Sequence, residues 1–132
     1  RGVCPFCGTR HDKEIPLLGD LMFWRNNQYH REQKEIVGYD GLSLYRWHIN
    51  GLFGFDENTS PEDAKRMAYI RYHNNQWLLV NEGITALIDI SNEKTPKPVP
   101  VGSYVRLQDG LMLSFGQENG ARKTRVSLLR AN

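Results

Sequence analysis

From residue 41 onward the chain is a succession of short apolar or alternating runs, each closed by a turn signal within about eight to twelve residues. No stretch carries apolar residues at helical spacing for the length of an ordinary helix. This texture constrains the fold more than any composition figure. Leu42 and Leu44 alternate with Ser43 and Tyr45 in a run that continues to Ile49, a period of two that suits a half-buried strand. Ala68, Ile70 and Tyr72 share one strand face and Tyr69 and Arg71 the other, with Asn74-Asn75 as a primed hairpin turn and Trp77 to Asn81 as the return strand. Thr85 to Ile90 is aliphatic and β-branched. The following Lys94-Thr95-Pro96-Lys97-Pro98 cannot supply every ladder donor and predicts a surface loop or sheet edge. Tyr104 to Leu107 and Leu111 to Phe115 flank Asp109-Gly110, a strong two-residue hairpin signal, and Thr124 to Leu129 closes the series after a turn at Gly120. Residues 51 to 63 read as a long loop, in which Ser60-Pro61-Glu62-Asp63 has the residues to start one helical turn. About seven short strands in this order predict an all-β fold, an antiparallel β-sandwich.

A chain of 132 residues has the size of one domain and can bury a core without disulfides. Seventeen basic against fifteen acidic residues leave a formal charge of +2, too balanced to announce nucleic acid or a membrane surface. No apolar run is long enough to cross a bilayer as a helix, and Arg1-Gly2-Val3 does not open a signal peptide. A soluble cytoplasmic protein is expected, and the absence of an initiator methionine predicts a fragment or a processed chain. Residues 1–34 are polar and turn-rich, with only Leu17 to Trp24 strand-like, and are expected to form an irregular lead-in to a sandwich over residues 35–132. The two cysteines stand together as Cys4-Pro5-Phe6-Cys7-Gly8, which is similar to one knuckle of a zinc ribbon. Cys4 and Cys7 are the candidate metal ligands and zinc the candidate cofactor. A tetrahedral site needs two more donors, either His11 and His30 or, as expected here, a knuckle upstream.

From Leu42 to the end, the order of features resembles a forkhead-associated domain. The resemblance rests on the Met67 to Tyr72 and Trp77 to Leu79 hairpin, the Asn81-Glu82-Gly83-Ile84-Thr85 turn, and the run Leu107-Gln108-Asp109-Gly110-Leu111 to Gly116, which looks like the closing hairpin of that family. It implies a β-sandwich that reads phosphothreonine peptides through its loops. At the reading positions the chain departs from the family: Tyr45-Arg46 keeps the arginine of a Gly-Arg pair, and Ala64-Lys65-Arg66-Met67-Ala68 replaces the serine and histidine of Ser-Arg-x-His-Ala. Thr85-Ala86-Leu87 stands where the family has Asn-Gly. A phosphate needs convergent donors, and of these Arg46, Lys65 and Arg66 supply charge while the orienting hydroxyl and amide are gone. The expected contact surface is Arg46, Lys65, Arg66 and Thr85, on loops at one end of the sandwich.

Catalysis has no constellation to support it. His11, His30, His48 and His73 are scattered, none beside a nucleophile and an orienting acid, and there is no phosphate-cradling or dinucleotide-binding glycine motif. Phe23, Trp24, Trp47, Tyr69, Tyr72 and Trp77 have the rings to stack on bases, but lie in strand-like patterns without dense Lys and Arg between them. The expectation is a non-catalytic protein-interaction module of a larger signalling protein, its partner a protein that is a candidate for phosphorylation. Nucleic acid is the alternative ligand.

Overall fold

The computed structural model describes residues 14–32, 35–51, 57–62 and 64–130. In chain order these form β1 (Glu14–Arg25), β2 (Gln28–Arg31), β3 (Ile36–Val37), β4 (Ser43–Tyr45), a single helical turn α1 (Arg46–Ile49), β5 (Arg66–His73), β6 (Gln76–Asn81), β7 (Ile88–Asp89), β8 (Lys97–Pro98), β9 (Tyr104–Leu107), β10 (Met112–Ser114) and β11 (Arg122–Arg130). The fold is all-β, and no helix among the described residues is long and apolar enough to cross a membrane.

Two antiparallel sheets share one core. The larger runs β2-β1-β11-β10-β7-β8, with β3 also on β1, and the smaller runs β4-β5-β6-β9. Alternation decides which side chains meet between them: Leu18, Leu113 and Val126 from the large sheet and Leu44, Ala68, Ile70, Leu79 and Leu107 from the small one are all buried in a single cluster. Burying a side chain of this size contributes about 1.5–3 kcal/mol. The β5–β6 hairpin turns at Asn74 and Asn75, with φ of 51° and 63°, the left-handed pair that a primed turn requires and that asparagine tolerates. Lys97–Pro98 forms the outer strand of the large sheet, where a missing N–H leaves no ladder gap.

Several elements differ from what the sequence predicts. Glu14–Arg31, within the stretch read as an irregular lead-in, supplies two strands of the large sheet, and β1 pairs along β11 from Glu14↔Arg130 to Phe23↔Arg122. Its period-two signal is broken by a register shift between Gly19 and Met22 and by Asp20 at φ 47°. The shift lets Leu18 and Leu21, three apart, both be buried. Asp109-Gly110 does not close a hairpin. Tyr104–Leu107 pairs with β6 in the small sheet and Met112–Ser114 with β7 and β11 in the large one, so the turn carries the chain across the sandwich. The local turn chemistry is present, with Gly110 at φ 90° and Leu111 N–H donating to Gln108 O at 3.0 Å, but inter-sheet packing chooses each strand's partner. The strand expected through Ile49 stops at Tyr45, because the backbone N–H of Tyr45 donates to His48 Nδ1 (2.8 Å) and the chain coils into α1. Thr85 to Ile90 keeps only Ile88–Asp89 as strand. Near Ser60, the Ala64 N–H donates to Ser60 O at 3.0 Å without a helix among the described residues.

Candidate functional site

At one end of the sandwich a cavity of about 500 Å³ opens among four pieces of chain: α1 with Asn50, Glu62 with Lys65, Arg66 and Met67, the β6–β7 loop, and the β10–β11 connection at Phe115, Glu118 and Ala121. Arg46, Lys65, Arg66 and Thr85, chosen from sequence as the contact surface, all lie in its wall. Three segments bring them there: α1, the start of β5 with the residue before it, and the β6–β7 loop.

Each loop is tied down by polar groups that sequence reading did not single out. Asn81, fully buried at the end of β6, donates from Nδ2 to Ile84 O and Val99 O and accepts from the Ile84 N–H, all at 2.7 Å. These bonds curl the β6–β7 loop back on itself, and the N–H groups of Glu82 and Gly83 fasten it to Met67 O at 2.9 Å each. Asn50 is buried too, and its side-chain amide donates to Glu118 Oε2 (3.1 Å) and Asn119 O (3.0 Å), joining the end of α1 to the β10–β11 connection. Behind α1 lies Arg122. Its guanidinium donates to both Glu32 oxygens at 2.5 and 2.8 Å, and from Nη1 to the carbonyls of Trp47 and His48 at 2.9 Å each. The turn that presents Arg46 is therefore held by an arginine from the last strand and an acid from just beyond β2. One signal for Arg122 was legible: it shares the strand parity of Thr124 and Val126, which are buried.

The electrostatics of the wall are balanced, with Arg46, Lys65 and Arg66 facing Glu62, Glu82 and Glu118. Lys65 Nζ lies 3.1 Å from Glu62 Oε1. Arg66 grips Glu82 with two bonds, Nε to Oε1 at 2.5 Å and Nη2 to Oε2 at 2.9 Å, and its guanidinium sits 4.3 Å from the centre of the Tyr69 ring. The bond from Arg66 holds the Glu82 carboxyl below its ordinary range, while the bond to Glu82 raises the Arg66 guanidinium further. The side-chain amides of Asn50 and Asn81, which stand beside the cavity, are bonded within the protein. What remains is a mixed-charge recess with an apolar floor of Ile49, Ile84, Phe115 and Ala121. A dianion entering this recess would meet the carboxylates of Glu62, Glu82 and Glu118 beside its three cations.

Cys4, Cys7 and His11 lie outside the described residues. His30 is described: its ring stacks on Phe23 with centroids 5.4 Å apart, and Nε2 is 3.1 Å from Arg25 O. Among the described residues no three His, Cys, Asp or Glu side chains gather as a metal group. His48, the histidine nearest the cavity loops, caps α1. Compared with the known protein families, with curated proteins and with solved structures, the chain matches none.

Proposed function

We propose that this chain is a non-catalytic protein-interaction module of the forkhead-associated type, acting within a larger signalling protein, and that it receives a segment of a partner protein in the loop-end cavity. One observation carries the reading. Arg46, Lys65, Arg66 and Thr85, selected from the resemblance alone, converge on one recess of about 500 Å³, a size that accepts a few side chains of a peptide. The two-sheet sandwich and the loops anchored at its end are the architecture such a module needs. The ion pairs of Lys65 and Arg66 argue that affinity comes from shape and mixed charge rather than from phosphate.

The test is a peptide library synthesised with threonine and with phosphothreonine at each threonine, screened by fluorescence polarisation against the chain and against Arg46→Ala. Selective binding that Arg46→Ala abolishes, with each pair of peptides differing by less than about three-fold, is the expected result. A preference for phosphothreonine above about ten-fold would return the site to phosphate reading. No selective binding in either library would end the module reading.

A further inference from the structure

The outer face of the small sheet carries an ordered pattern that no single strand displays. Ala68, Ile70, Trp77, Leu79 and Leu107 are buried toward the core, so the intervening residues of β5, β6 and β9 point the other way. Register sets them in two rows: Tyr69, Val80 and Tyr104 are neighbours across the three strands, and so are Arg71, Leu78 and Arg106. Tyr104 is 62% exposed, Arg71 and Arg106 are exposed, and Tyr69, Leu78 and Val80 are partly so. With strands about 4.8 Å apart, the backbones of Tyr69 and Tyr104 stand about 10 Å from each other, as do those of Arg71 and Arg106. Arg66 extends the cationic side from above Tyr69. Among the described residues two acids meet these cations, both beside the rows rather than in them. Asp40 Oδ1 is 3.8 Å from Arg71 Nε, with both side chains more than half exposed, and Glu82 holds Arg66. An ion pair as open and long as Arg71–Asp40 contributes little and leaves the arginine available.

We propose that this face binds single-stranded nucleic acid, with a base stacked on the open ring of Tyr104 beside the Leu78–Val80 strip and phosphates held by Arg106 and Arg71. The chemistry is that of a sequence-tolerant platform: aromatic rings accept any base, and guanidinium groups take phosphate oxygens two at a time. A protein partner fits less well, since the strongest protein contacts centre on anchors in closed pockets and this surface is an open pleated sheet. The inference is independent of the loop-end cavity.

The experiment is fluorescence anisotropy of a labelled short oligothymidylate with the full chain at low salt, beside a duplex of the same length and labelled polyglutamate. The expected result is preference for the single strand, with log affinity falling against log salt at a slope of about −1.4 for two phosphates. Tyr104→Ala weakens binding at least about five-fold, Tyr104→Phe retains it, and Arg71→Ala or Arg106→Ala each removes about 0.7 from the slope. Arg46→Ala leaves binding unchanged. Circular dichroism of each variant checks that the sheet is intact, and Tyr104 and Arg106 lie on an edge strand where truncation leaves the core whole. Equal binding of polyglutamate would show a surface for acidic polypeptide and overturn the proposal. So would the absence of any anisotropy change, or binding indifferent to both Tyr104→Ala and the arginine variants.

Discussion

Two arginine–glutamate pairs flank the loop end, alike in geometry and opposite in setting. Arg122 meets Glu32 at 2.5 and 2.8 Å, and Arg66 meets Glu82 at 2.5 and 2.9 Å, each through Nε and Nη2. The first pair has side chains 4% and 14% exposed, the second 42% and 37%. In the first, water has been replaced by the carbonyls of Trp47 and His48, so each polar atom depends on the others. In the second, either partner can return to solvent. The same contact is thus a structural clasp behind α1 and an exchangeable latch at the cavity mouth. Bond length alone does not distinguish them, because the difference lies in what each charge gains by separating.

Breaking the clasp is the largest perturbation. Arg122→Met removes four hydrogen bonds at once, to Glu32 and to the carbonyls of Trp47 and His48, and should lower unfolding free energy by about 3–5 kcal/mol in urea titration. A smaller loss after the further change Glu32→Leu would identify the Glu32 carboxylate as the main term. Asn81→Ala comes next: it removes three 2.7 Å bonds and should lower stability by about 2–4 kcal/mol, with the amides of residues 82 to 86 losing hydrogen-exchange protection first. Glu82→Gln acts on the latch. It should lower the urea midpoint only slightly while strengthening binding of inorganic phosphate at the cavity, measured by chemical-shift titration of the Arg66 Nε–H. If phosphate affinity stays the same, the acid is not what closes the site to anions. The smallest effect is with pH. Because Arg66 depresses the Glu82 carboxyl, the pair's modest, solvent-screened contribution is present above the ordinary carboxylate range and fades only as pH falls through the depressed value. Carbon-13 titration of Glu82 should show its transition at lower pH in the wild type than in Arg66→Ala.

Turn and strand chemistry was legible wherever neighbours in sequence are neighbours in space. Asn74-Asn75 joins β5 to β6, and Pro98 sits at a sheet edge, as read. The reading failed where partners lie far apart. Asp109-Gly110 has all the local properties of a hairpin turn, yet β9 and β10 join different sheets because Leu107 and Leu113 enter one core from opposite sides. Glu14–Arg25 was underrated because a left-handed residue at Asp20 shifts its alternation by one.

That Arg46, Lys65, Arg66 and Thr85 lie close together was legible through the resemblance, but not their state. Nothing in Arg66 or Lys65 as letters discloses that Glu82 and Glu62 hold them. The two-row pattern on the small sheet was hidden for a related reason. Tyr69 and Arg71 sit 33 or more positions before Tyr104 and Arg106, so the interleaving of rings and cations that the linear chain lacks exists only in the register of β5, β6 and β9. By itself the sequence determined the all-β class, the period-two faces and the tight turns, since these follow from φ, ψ and side-chain alternation within a few residues. Only the tertiary structure decided which strands pair, which arginine is a clasp and which a latch, because burial and partnership are set by residues as far away in sequence as Glu14 is from Arg130.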